Sequence, residues 1–178
     1  MGVEEEFTAF VRARSSALLR SACLLTAGDR QAGEDLVQAA LAHTFVRWGR
    51  IRDPNASEAY VRQIMFRMAL RRSRRGASSE IPTSEPPQVV GVAPPPPQDA
   101  VSDRASTWPV LQELSVQQRA VVVLRYYEDL TDDQIAVVLG CAPGTVKSHA
   151  NRALQTLRRS LGRREDGAGR MGPERSGT

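Results

Sequence analysis

Apolar positions recur three and four residues apart along most of this chain, the period of helices that pack by one face. Phe7, Phe10, Val11, Leu18, Ala22 and Leu25 share one side of a predicted helix over residues 7–25, with Arg12, Arg14 and Arg20 between them. Gly28 and Asp29 interrupt that pattern. A second helix is predicted from about Gln31 to Trp48, with Val37, Leu41, Thr44, Phe45 and Trp48 inward. Arg52-Asp53-Pro54-Asn55 reads as a turn, and Asn55-x-x-Glu58 has the spacing of a capping signal. A third helix, Ser57 to about Arg75, carries Tyr60, Val61, Ile64, Met65 and Met68 on one side.

The pattern then stops. Residues 76–106 hold Pro82, Pro86, Pro87 and the run Pro94 to Pro97 among Ser, Gly and Gln, a composition that neither packs nor winds into helix. This is expected to be a flexible linker. Periodicity resumes with Val110, Leu111 and Leu114, and Ser115-x-x-Gln118 is a capping-box match. Val116, Ala120, Val123, Leu124 and Tyr127 form the inward face of a helix ending near Glu128-Asp129. Thr131-x-x-Gln134 opens a short helix with Ile135, Ala136 and Leu139 apolar. Gly140 supplies the left-handed stop, and Pro143 fits the first turn of the next helix. In that helix Val146, Ala150, Ala153, Leu154 and Leu157 form one stripe. Residues 162–178, rich in Gly, Arg and Ser, read as a disordered tail. The prediction is an all-α chain of two small modules, residues 1–75 and 107–161, joined by the proline-rich linker.

Charge changes this picture through its distribution. The 178 residues carry a formal net charge of +4 and a pI of about 9.7, which permits an anionic partner. Residues 1–75 hold thirteen basic and eight acidic side chains, whereas 76–106 hold one basic and four acidic, so the linker is expected to stay off nucleic acid. Two distant cysteines and two isolated histidines, His43 and His149, exclude a disulfide framework and a zinc site, so no metal or cofactor is expected. No signal peptide or membrane-length apolar run is present, which points to a reduced, cytoplasmic protein without membrane insertion.

Three groups of residues are candidates for function. Thr145, Lys147, Ser148, His149, Asn151 and Arg152 lie off the apolar stripe of the last helix, and from Gly140 to Leu161 there is no acid. A helix with one apolar side and an opposite face of hydrogen-bonding and cationic groups suits the DNA major groove. The bland reading, a helical hairpin with a solvated basic face, is weaker because the glycine turn and the small Ala136 also fit a helix-turn-helix. Arg62, Arg67, Arg71, Arg72, Arg74 and Arg75 cluster with no acid among them, more cations than the helix dipole requires, and phosphate binding is the natural use. Asp35 and Gln38 share a helix face, and by themselves read as ordinary solvated residues.

Taken together, these elements resemble the extracytoplasmic-function sigma factors, the small initiation subunits of bacterial RNA polymerase, in a short subgroup common in high-GC actinobacteria. The resemblance covers about residues 7–75 and 107–161. Asp29 to Phe45 looks like region 2.2, whose D-x-x-Q element grips the polymerase clamp. It therefore implies that Asp35 and Gln38, with Leu36 and Leu41, bind core polymerase. Ala59 to Arg75 looks like regions 2.3 and 2.4, which implies that the arginines from Arg62 to Arg75 hold and help open the promoter's −10 element. Ser115 to Leu157 is similar to region 4, which implies −35 reading by the last helix. An anti-sigma protein is a further partner that the resemblance brings into question. Three positions depart from the family pattern: Arg67 stands where an asparagine is usual, Arg72-Ser73 where the short subgroup often has an aromatic pair, and Ala142 where a Ser or Thr is usual.

Two other function classes remain to be weighed. Thr145-Val146-Lys147-Ser148-His149 also resembles the recognition helix of response-regulator output domains, so a stand-alone regulator binding duplex DNA is the alternative. The helical, basic N-terminal module speaks against it, since no receiver-like alternation precedes the helix-turn-helix. An enzyme has no phosphate-binding glycine loop, metal cluster or nucleophile motif to rest on.

Overall fold

The structure, a computed structural model, describes residues 2–51, 54–75 and 104–168. Seven α-helices carry these residues: α1 (Val3–Leu25), α2 (Arg30–Phe45), α3 (Pro54–Arg75), α4 (Arg104–Gln112), α5 (Val116–Val122), α6 (Asp132–Leu139) and α7 (Pro143–Ala168). No strand occurs among them. The chain is all-α, as the periodicity predicts.

The helix ends follow local chemistry. The Asp29 side chain accepts from the Ala32 N–H at 3.0 Å and starts α2. Ser115 with Gln118 and Thr131 with Gln134 both form reciprocal capping boxes. Gly140 adopts φ 67°, ψ 44° and stops α6. Proline opens both α3 and α7. In α3 this corrects one expectation, because the helix has already begun at Pro54, so Asn55 lies inside it rather than at its cap. The stretch Val123–Tyr127 winds as a π-turn instead of continuing α5, with the Glu128 N–H reaching the Val123 carbonyl at 3.1 Å.

α1, α2 and α3 form the first module around Leu18, Ala22, Leu25, Val37, Ala40, Val61 and Met65. Phe7 packs against Phe45 in a tilted pair and against Trp48 edge-to-face, at ring-centre distances of 4.9 and 5.0 Å. Phe45, expected inward, keeps a largely exposed ring at the end of α2, and Trp48 begins a short 3-10 turn. In the second module α5, α6 and α7 enclose Val121, Leu124, Ile135, Ala136, Val146, Ala150 and Ala153. α7 outruns the expected boundary: residues 162–168, read as tail, are helical. Glu113 explains part of this, accepting from the Ser160 hydroxyl at 2.6 Å and pairing with Arg163 at 2.6 Å. Most of the predicted linker, 76–103, and the end of the tail, 169–178, lie outside the described residues, while 104–106 already belong to α4.

The two modules pack against each other, which separate modules on a linker did not lead one to expect. α3 lies against α5 and α6, α1 lies against α5 and the π-turn, and their buried residues join one apolar cluster. Trp108 of α4 closes over Gly28, where an added Cβ would come within 3.0 Å of the indole, and Gly28 holds φ 88°. Both facts demand glycine there.

Candidate nucleic-acid interface

α6, the Gly140 turn and α7 form a helix-turn-helix. Val146 is fully buried and anchors the start of α7 beneath α6, with Ala150 and Ala153 continuing the seam. Small residues there let the helices approach closely. That packing leaves Thr145, Lys147, Ser148, Asn151 and Arg152 exposed, with His149 half-buried beside them. The predicted reading face is therefore assembled on one side of one helix. The Ser148 hydroxyl donates to the Gly144 carbonyl at 3.0 Å, a bond it must give up to donate to a base but not to accept from one. Burial and then Arg152 push the His149 imidazole below its ordinary 6.5, so it is neutral at pH 7 and can donate or accept by tautomer.

The six arginines of α3 do not form one surface. Arg71, Arg72 and Arg74 are exposed near its end, and the side chain of Arg75 lies outside the described residues. Arg74 is close enough to the helix-turn-helix to oppose the rise that burial imposes on the Cys141 thiol. Arg71 and Arg47 add to burial in lowering the His43 imidazole. These groups make a basic edge running toward the turn before α7.

Arg62 and Arg67 point elsewhere. Arg62 is 3% exposed, pairs with Glu58 one helical turn earlier and lies 3.0 Å from a Glu128 carboxylate oxygen. That approach is off-line for a hydrogen bond, and Arg62 Nε also lacks a hydrogen-bond partner among the described residues. Glu58 also meets Arg14 at 3.2 Å. Burial pushes the Glu128 carboxyl above its ordinary 4.5, with Arg62 and the Ser21 hydroxyl, which donates to it, pulling it back. Arg67 donates from Nε to the Val138 carbonyl at 2.9 Å and from Nη2 to that of Val137 at 2.8 Å. In this arrangement neither side chain is presented to a phosphate.

On α2, Asp35 and Gln38 are exposed, Leu41 is half-buried, and Leu36 is buried in the core. Asp35 accepts from the Gln31 amide at 3.0 Å. Asp35, Gln38 and Leu41 can meet a partner directly, while Leu36 supports the helix from below.

Ser21, Gln63, Arg119 and Glu128, none of them a candidate from the sequence, carry polar contacts between the modules. Glu58, four residues before Arg62, was the available signal that this arginine has a local partner. No group of three or more metal-ligating side chains occurs among the described residues, and no described helix is long and apolar enough to cross a membrane.

Comparison with known proteins agrees with this architecture. Residues 110–157 match the family described as "Sigma-70, region 4". The chain is 40% identical over 164 residues to an RNA polymerase sigma-E factor of Streptomyces coelicolor, covering 90% of this chain and 89% of that one. It is 32% identical over 158 residues to the ECF RNA polymerase sigma factor SigL of Mycobacterium tuberculosis, covering 83% and 84%. In structure it resembles the sigma factor RpoE of Bartonella quintana, solved in complex with the anti-sigma factor NepR. That match has a TM-score of 0.59 and 24% identity over 88% of this chain and 97% of that one.

Proposed function

The chain belongs to the extracytoplasmic-function sigma factors of bacterial RNA polymerase, and from that premise we propose how its surfaces divide promoter recognition. The observation that carries the reading is the exposed, acid-free face of α7 beyond the turn at Gly140. Thr145, Lys147, Ser148, His149, Asn151 and Arg152 meet the −35 element there. Each good bidentate base contact discriminates by about 1–3 kcal/mol, and Lys147 and Arg152 add phosphate contacts that weaken with salt.

Asp35 and Gln38, exposed on α2, hold core polymerase with Leu41, while Leu36 fixes the helix they project from. Arg71, Arg72, Arg74 and Arg75, at the end of α3, take the −10 phosphates. Core RNA polymerase and promoter DNA are the partners, and the chemistry of RNA synthesis belongs to the polymerase. The chain works in the cytoplasm, where polymerase and promoter are. One structural neighbour is bound to an anti-sigma factor, so a protein of that kind is the regulatory partner to seek.

A titration against core polymerase tests this reading. The wild-type chain should bind tightly, and Asp35→Ala/Gln38→Ala should weaken binding at least tenfold, about 1.4 kcal/mol. Absence of core binding, with specific duplex binding by the chain alone, would make it a stand-alone regulator.

A further inference from the structure

Helix α7 runs on past the residues that face a base. The stretch matched to the family ends at Leu157, yet the helix continues to Ala168. The buried Ser160 hydroxyl donates to Glu113 at 2.6 Å, and Arg163 pairs with the same carboxylate at 2.6 Å, so the second half of α7 is anchored to the module. Arg158 and Arg159, just before these anchors, are exposed, and neither pairs with an acid among the described residues. No acidic residue occurs from Gly140 to Arg164. Their place on the helix is specific. Seven residues are close to two turns, so Arg158 lies in line with Asn151 and Arg159 in line with Arg152, both on the reading face. Arg159 Nε donates to the Gln155 carbonyl at 3.3 Å, which lays its guanidinium back along the helix toward Arg152. The helix dipole does not account for the pair, because its influence is confined to the last turn and α7 ends more than two turns beyond Arg159.

We propose that Arg158 and Arg159 bind backbone phosphates of duplex DNA where α7 leaves the major groove, a sequence-independent grip beside the −35 element. The proposal rests on the reading of α7 given above for the way the helix enters the groove. An α-helix rises 1.5 Å per residue, so these arginines lie about 10 Å beyond Asn151 and Arg152 along its axis. The major groove is about 12 Å wide, so a helix whose first turns meet base edges comes alongside a bordering strand within that distance. A guanidinium there meets phosphate oxygens, which accept two parallel N–H bonds from it. Such contacts fix the position of a protein on the duplex and carry no sequence information. Arg163 has a different task, because Glu113 already neutralises it. Residues from Thr145 to Arg152 thus choose the sequence, while Arg158 and Arg159 add affinity and hold the axis of α7 in the groove.

Fluorescence anisotropy of the full chain with a short duplex of arbitrary sequence, read across a potassium chloride series, tests the grip. Each phosphate contact adds about 0.9 to the slope of log affinity against log salt. Arg158→Gln/Arg159→Gln should therefore lower that slope by about 1.8 and weaken binding about tenfold or more near 0.1 M salt, with helicity unchanged. Arg158→Lys/Arg159→Lys should keep most of the slope, since an ammonium still neutralises a phosphate. Arg12→Gln/Arg30→Gln removes the same charge from exposed positions of the first module and should leave the slope as it is. In promoter selection by transcription, the −35 preference of Arg158→Gln/Arg159→Gln should match the wild type. No duplex binding by the wild type at low salt, an unchanged slope in the double variant, or an equal fall in the Arg12→Gln/Arg30→Gln control would overturn the grip. A changed −35 preference would make the pair base readers instead. Intact duplex binding with lost binding to core polymerase would assign the pair to an acidic protein surface, which also overturns it. Failure of the wild type to bind core polymerase counts against the sigma-factor reading alone, and the duplex slope still decides the grip.

Discussion

Arg119 Nη1 donates to the carbonyl of Leu25 across 2.9 Å, tying the last turn of α1 to α5. The same guanidinium reaches the Leu111 and Leu114 carbonyls, each at 2.9 Å, so one side chain closes the end of α1 and the turn between α4 and α5. No acid is among these partners. Three carbonyl dipoles hold the buried charge, and burial lowers its affinity for a proton below the ordinary arginine value.

That arrangement makes Arg119 a structural residue rather than a DNA contact. Arg119→Met should leave the Leu25 and Leu114 carbonyls without the donor they have here, while the Leu111 carbonyl keeps the Leu114 N–H, and should cost about 2 kcal/mol or more, read from urea unfolding. Arg119→Lys should recover only part of the loss, because a lysine ammonium cannot reproduce the planar fork. A loss below about 0.5 kcal/mol for Arg119→Met would contradict this role.

α7 begins without a side-chain cap. Pro143 is its first residue and Ala142 precedes it, with the Ala142 carbonyl accepting from the Thr145 N–H at 2.9 Å. Ala142→Ser places a hydroxyl where the N–H groups of that first turn are open. It should stabilise the chain by about 1 kcal/mol, visible as a higher thermal midpoint. An unchanged or lower midpoint would show that the first turn of α7 is already satisfied.

The two histidines give a pH test. Burial lowers both imidazoles below 6.5, helped at His43 by Arg47 and Arg71 and at His149 by Arg152. Because the folded chain holds these protons less well than the unfolded chain, their contribution to stability is complete above pH 6.5. It fades as pH falls through the lowered folded values. Proton NMR of the free chain should show both rings titrating below 6.5. A His149 midpoint at or above 6.5 would place a positive charge on the reading face that this account does not give it.

How much of this was legible depended on the distance over which each signal acts. Both capping boxes, the left-handed Gly140 and the buried stripe from Val146 to Ala153 are local, set by spacings of three and four residues. The reading face followed from them, since what lies off the stripe must face out. Arg62 and Arg67 did not follow. A run of arginines looks the same whether it meets phosphate, a carboxylate or a helix end, and the partners here, Glu128 and the carbonyls of Val137 and Val138, lie 66 to 71 residues away. Ser21 lies between Leu18 and Leu25 on the inward face of α1, so its position was legible although its polar type hid it; Glu128, past the end of its helix, had no such marker. The end of α7 was misread for a related reason: its glycines and arginines resemble a tail, and the anchor, Glu113, sits 50 residues upstream of Arg163.

On the proposed reading, this chain selects promoters for RNA polymerase through the exposed face of α7. The most direct measurement is transcription by purified core polymerase plus this chain on a pool of templates randomised upstream of the start, with transcripts sequenced. One −35 and −10 pair should emerge from the pool. Lys147→Ala/Arg152→Ala should lose preference at the −35 block while still binding core polymerase. Transcripts without any common upstream sequence, or a −35 preference that survives the double substitution, would contradict the account.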